Sequence, residues 1–336
     1  MPFDPQYNTN PLLAEYTSKY ELVVDSLSFM RKIPMIPTQY DTIKIAKQDL
    51  AEIRRVAFGT KAFGVDIETT GLSKEYFNFN LESYSDSKGL SGIAFNTMNA
   101  EDFAISQQLL AVRVATAIAT NMLKDLQTTI FTAGSYAVTN ATMNISNPST
   151  DNGVLDKIID AKKAVHLACG KKPNTIILTG DVFYQMLKQD ELKGLYAGGN
   201  TGIQGEIDEQ WIAKATGLPN VILLDGATNT AGKNATASNA FLSNGFLLVC
   251  YLEPTVSLGG DEPSFLAGAY NTIPTALGVN GNIKTMAGIA PFPIRIADNF
   301  DAFKTGHGEY KVAGEAIADF KILYPELGYL FTVTTA

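Results

Sequence analysis

The chain has 336 residues, which at about 150 residues per domain corresponds to roughly two domains. Hydrophobic residues make up 46% and charged residues 18%, enough for a real core and against a disordered chain. With 34 acids against 26 bases, a formal charge of −8, the surface is not built to neutralise phosphate. Two cysteines (Cys169, Cys250) exclude a disulfide scaffold or four-thiolate zinc site, and two histidines (His166, His307) leave little room for histidine-rich metal chemistry. No uninterrupted apolar stretch reaches the roughly 18 residues of a membrane span. The N-terminus lacks a basic start followed by an apolar core, so it does not read as a secretory signal.

Residues 1–47 carry Pro2, Pro5, Pro11, Pro34 and Pro37, which disfavour long helices and favour extended chain. This arm also holds Leu12, Leu13, Tyr16, Tyr20 and Phe29, too apolar to stay wet, so it is expected to lie on its own body or on a neighbour. Residues 48–55 read as a short helix. Glycines 59, 64 and 71 then punctuate the chain, and Phe77, Phe79 and Leu81 alternate with Asn78, Asn80 and Glu82. That period of two marks a strand with one apolar face, and a long two-stranded excursion over 48–92 is expected. Such a ribbon is marginal alone and needs a partner to pack on.

The strongest helix starts at Asn99, a good N-cap, with Asp102 in the first turn where negative charge suits the dipole. Ile105, Leu109, Val112, Ala119, Met122 and Leu126 hold one face over about 25 residues, or about 38 Å. A polar gap follows. The next helix, over about 153–168, has Leu155, Ile158, Ile159 and Val165 as apolar positions and Gly170 as a C-terminal cap. Residues 175–178 read as a buried strand, and Gly180 and Asp181 open a helix carrying Val182, Phe183, Met186 and Leu187. A helix over about 207–216, strands at 221–224 and 246–251, a stretch over 259–290 rich in glycine, proline and threonine, and two closing strands from Tyr310 and Tyr329 complete the chain, with Pro325 near the bend.

Chemical motifs are weak. Residues 226–234 (GATNTAGKN) superficially look like a phosphate-binding loop, but the glycines are one residue too far apart and Asn234 stands where a magnesium-binding hydroxyl belongs, so a surface loop is the better reading. Residues 198–202 are glycine-rich without the strand-to-helix setting of a dinucleotide fingerprint. His166 and Cys169 have no second pair nearby to complete a metal site, and His307 reads as a loop residue. Asp261 and Glu262 either hold a cation at an oligomer axis or form a solvated acidic loop. Neither a serine elbow nor a zinc-protease motif is present. The sequons at Asn140, Asn144 and Asn234 carry no meaning without a secretory signal. No catalytic, cofactor-binding or metal-binding residue is assigned.

The order of elements says more: extended arm, ribbon, long alanine-rich helix, α/β region, closing strands. This order resembles the major capsid protein of tailed bacteriophages of the Hong Kong ninety-seven type. Local sequence carries the resemblance: residues 156–165 (DKIIDAKKAV), 170–178 (GKKPNTIIL) and 182–187 (VFYQML) look like the start of that family's axial domain, as does 217–221 (GLPNV) before a strand. Residues 32–37 (KIPMIP) resemble its paired-proline arm and 319–329 (DFKILYPELGY) its closing strands. The resemblance implies an α+β fold with an N-terminal arm (1–47), an extended loop (48–92), a peripheral domain (93–149 and 291–336) with a spine helix over about 99–128, and an axial domain (150–290). It implies a structural protein and no enzyme, assembling with itself into hexamers and pentamers that form an icosahedral shell around DNA, without cofactors or a membrane, in the virion after assembly in the host cytoplasm. Separate scaffold, portal and decoration proteins are the implied partners; the short arm favours a separate scaffold, or none. Cross-linking through Lys61 or Lys74 does not follow. Leu12, Leu13, Tyr16, Tyr20, Phe77, Phe79 and Leu81 are the expected inter-subunit contacts, covered only by sister molecules. An encapsulin-like nanocompartment enclosing a cargo enzyme is the alternative, and a soluble α/β enzyme using Asp181 or Asp225 the more distant one.

Overall fold

The computed structural model describes residues 8–9, 32–47, 50, 75–91, 99–132, 136, 141–147, 149–151, 153–198, 208–229, 236, 238–256, 258, 262–271, 295–301 and 309–335. Helix α1 spans Ala100–Ile130, and at 1.5 Å per residue its 31 residues run about 46 Å. Asn99 starts it as expected, accepting the Asp102 N–H at 2.7 Å. The helix is central because its alanines make it narrow. Ala111, Val114, Ala115, Ile118, Ala119, Met122 and Leu126 are fully buried. By length and mean hydropathy alone Asp102–Ile130 would suffice to cross a membrane; one arc of it is buried in the protein core.

Two β-sheets sandwich this helix. The first is built from β1 (Asn8–Thr9), β2 (Met35–Thr38), β5 (Glu82–Ser91), β12 (Leu266–Asn271), β13 (Arg295–Asp301) and β14 (Glu309–Ile322), numbered in chain order. Strand β14 is its centre: β5 pairs antiparallel along Glu309–Ala318 on one side, with β13 and then β12 on the other. The second sheet runs β6 (Ala141–Asn144), β15 (Gly328–Thr334), β11 (Phe246–Cys250), β7 (Thr175–Thr179), β8 (Asn220–Leu224) in spatial order. Its β7–β8 and β15–β6 pairs are parallel and the others antiparallel. Two separate ribbons pair β3 (Thr42–Lys47) with β4 (Glu75–Asn80), and β9 (Ala227–Asn229) with β10 (Asn239–Phe241).

Period-two alternation divides the core. Ile177, Ile222, Leu224, Leu248 and Leu330 of the second sheet face the cluster that contains α1. Ile176, Leu178, Val221, Leu247, Val249 and Phe331 face the opposite way. That second face is covered by α2 (Val154–Cys169), α3 (Gly180–Met186) and α5 (Glu209–Thr216), through Val154, Ile158, Ala161, Val182, Met186 and Ile212; α4 (Asp190–Gly198) adds Leu192. Helix α2 ends on Gly170 in the left-handed region at φ 76°, as its sequence requires.

The closing strands are not a pair: the 3-10 turn Pro325–Leu327 separates β14 in the first sheet from β15 in the second, so the C-terminal segment stitches the two sheets together. Strand β12 belongs to the first sheet, and β6 and β15 belong to the second. The partner of β4 is β3. Ile105 and Leu109 are 51% and 46% exposed rather than core. The buried arc of α1 is centred near Ala111, Ala115, Ile118 and Met122, roughly a third of a turn away at 100° per residue.

Candidate assembly surface

Among the described residues no three His, Cys, Asp or Glu side chains gather as metal ligands would. His166 is exposed on α2, while Cys169 is buried beside it, its thiol donating to the Val165 carbonyl at 2.9 Å. Glu262 pairs with Lys171 at 3.3 Å. Asp261, His307, Lys61, Lys74 and residues 230–235 lie outside the described residues. Gly226 packs closely against the Leu123 side chain.

Asp181 is engaged in structure. Its carboxylate accepts the Thr179 hydroxyl at 2.6 Å, the Gly245 N–H at 2.8 Å and the Thr335 hydroxyl at 3.3 Å. It therefore joins the ends of β7, β11 and β15. Asp225 is exposed just after β8.

Of the expected contacts, Leu12, Leu13, Tyr16 and Tyr20 lie outside the described residues. In the single chain the ribbon residues meet their own body to different degrees. Phe79 is 0% exposed in the single chain, opposite Ile43 in the β3–β4 register, and Phe77 opposes the buried Ile45. Phe77 also meets the Tyr324 ring edge-on at 5.2 Å, and Leu81 packs on the same core. Phe79 is thus fully covered by its own body, while Phe77 and Leu81 are half-buried.

What remains outside is a different set. Ile105 and Leu109 form one exposed stripe on the first half of α1. On α2, Ile159 and Leu167 are 57% and 65% exposed, interleaved with the exposed Lys163 and His166. Tyr40 and Tyr76 are exposed on β2–β4 and Tyr184 on α3. Ile159 is one of the apolar positions expected on this helix; Leu167 is not among them. The available signal was that Leu167 falls off the Val154, Ile158, Ala161, Val165, Cys169 stripe that is buried. Large apolar side chains grouped on exposed helix faces mark interaction surfaces.

Burial also shapes proton affinity. Desolvation pushes up Tyr136 and Cys250, and pushes up Tyr84 and Tyr251 with further help from hydrogen bonds to Asp125 and Glu253. Each group holds its proton more tightly folded than unfolded, so its contribution is complete below the unfolded value, near 8.5 for Cys and 10 for Tyr, and is lost as pH rises above it. Urea unfolding midpoints of the free subunit are expected to fall from about pH 9 upward and more steeply above about pH 10. A flat midpoint to pH 11 would count against this buried set.

No protein-family model matches the sequence, and no curated protein matches it. Solved structures do. A phage-related protein from Bordetella bronchiseptica RB50 is similar over 97% of both chains, with a TM-score of 0.58 at 12% identity. The capsid structure of the cyanophage P-SCSP1u is similar over 100% of this chain and 91% of that one, with a TM-score of 0.52 at 8% identity. The mature capsid of bacteriophage PhiM1 is similar over 92% and 87%, with a TM-score of 0.50 at 11% identity. The chain has the fold of phage capsid proteins.

Proposed function

We propose that this chain is the major capsid protein of a tailed bacteriophage, assembling through hexamers and pentamers into an icosahedral shell around double-stranded DNA. The observation that carries the reading is the likeness to phage capsid subunits along nearly the whole of both chains. The exposed apolar side chains on α1 and α2 support it, because a shell subunit needs several separate faces for its neighbours. At about 25 cal/mol per Å² of apolar surface each contact is weak, but several per subunit make a strong lattice. Leu12, Leu13, Tyr16 and Tyr20 of the arm would add to these contacts. The net charge of −8 suits a container that encloses DNA without gripping it. Scaffold, portal and decoration proteins would be its partners, and the virion its final location.

Ile105→Glu combined with Leu109→Glu tests the α1 face. Both positions are about half exposed, so the unfolding midpoint of the subunit is expected to stay within about 0.5 kcal/mol per site of the parent. Particles seen by negative-stain microscopy are expected to disappear. Normal particles from the double variant would remove α1 from the assembly surface. The contents of parent particles separate a capsid from a cargo compartment: nucleic acid supports the proposal, and a co-purifying enzyme overturns it.

A further inference from the structure

The two sheets meet across the largely apolar side chains around α1, and apolar contact fixes distance better than angle. Among the described residues, Lys32 from the first sheet and Gln127 from α1 each donate a side-chain hydrogen bond to β8. The Lys32 ammonium donates to Glu209 Oε2, on the first residue of α5, at 3.0 Å and to the Val221 carbonyl at 2.6 Å. The backbone that carries Lys32 is fixed to the first sheet. Ile33 and Ile36 are buried, the Gly268 N–H donates to the Pro34 carbonyl at 2.9 Å, and β2 runs parallel to β12. At the other end of β8, Gln127 of α1 donates through Nε2 to the Leu224 carbonyl at 3.3 Å. Gln127 is 1% exposed, and its Oε1 is buried with no hydrogen-bonding partner among the described residues. Strand β8 is the outermost strand of the second sheet in the described order.

We infer that Lys32 is a positioning residue that sets the angle between the two sheets, with Gln127 as the second tie, and that this setting is adjustable. Three features make it so. The Lys32–Glu209 pair is partly exposed on both sides, so it is open to water and salt. A lysine is a point charge on a flexible stem and accepts more than one arrangement of oxygens around it, where a backbone ladder accepts one. The unpartnered Gln127 oxygen marks the seam as a place where hydrogen bonding is incomplete in this setting, and a small shear of packed layers is the kind of motion that would change it. The inference rests on the capsid reading for its purpose: one sequence placed around five-fold and six-fold centres must fit two slightly different surroundings.

Lys32→Met keeps the stem and removes the charge. Hydrogen exchange on the free subunit is expected to rise about ten-fold across residues 209–224 in this variant, with α1 and β14 unchanged, and 1 M salt should bring the parent toward the same pattern. The paired exchange K32E with E209K restores opposite charges but not the donor to the Val221 carbonyl, and is expected to recover only the part of the protection that the ion pair supplies. Particles of K32M are expected to show a broader diameter distribution by electron microscopy. Unchanged exchange in K32M overturns the tie. Faster exchange with an unaltered diameter distribution overturns its role in the shell. If the parent forms no particles at all, the capsid reading fails, and the exchange measurement still decides the tie.

Discussion

Replacing Phe79 with alanine is expected to destabilise the isolated subunit by about 3–5 kcal/mol, a large share of the stability of an ordinary domain. Phe79 is among the largest fully buried side chains in the molecule. Its ring lies under the Lys321 ammonium at 5.9 Å, and its strand neighbour across the ribbon is Ile43. Truncation leaves a cavity between β4 and the first sheet that neither element can close, since both are held by their own ladders. Urea unfolding of the free subunit reads this directly. A side chain covered only by sister molecules would behave in the opposite way, with a normal midpoint and failed assembly. The measurement therefore separates a ribbon that belongs to its own body from one that waits for a neighbour.

Replacing Asp181 with alanine is expected to cost about 2–4 kcal/mol, because it leaves the Gly245 N–H and the Thr179 hydroxyl without their carboxylate acceptor in a partly buried corner. That corner is tightly drawn. Gly245 sits at φ +75°, its carbonyl accepts the Val333 N–H at 2.7 Å, and a Cβ on it would meet the Val333 carbonyl oxygen at 2.7 Å. Losing Asp181 loosens the joint where β7, β11 and β15 end together. Asp181→Asn keeps an acceptor and is expected to lose less. A carboxylate held for chemistry would show the reverse, with little change in the urea midpoint on removal.

The local signals were legible where one element decides its own shape. Asn99 capping α1, Gly170 ending α2, and the continuous apolar runs of β7 and β11 follow from residue type and spacing alone. Pairing was not legible, because a strand's partner depends on residues far away. Thr42–Lys47 alternates as a strand should, yet nothing within it names Glu75–Asn80 as its complement, and the proline-rich surroundings read as an arm. For the same reason the parting of β14 and β15 into different sheets was hidden behind their closeness in sequence. The exposed apolar stripes were the least legible. Ile105, Leu109 and Ile159 count as core in any helical stripe, and only the placement of the sheets shows that their side of the helix is bare. Periodicity tells which residues are apolar on a face; it does not tell whether the cover for that face is the same molecule or another.

Cryo-electron microscopy of the purified parent protein, with sedimentation velocity on the same sample, bears most directly on the capsid proposal. Closed shells of uniform wall thickness, sedimenting far ahead of a small pool of free subunit, are the predicted result. A single slow species the size of one 36.2 kDa chain at every concentration and salt, with no shells on any grid, would contradict it.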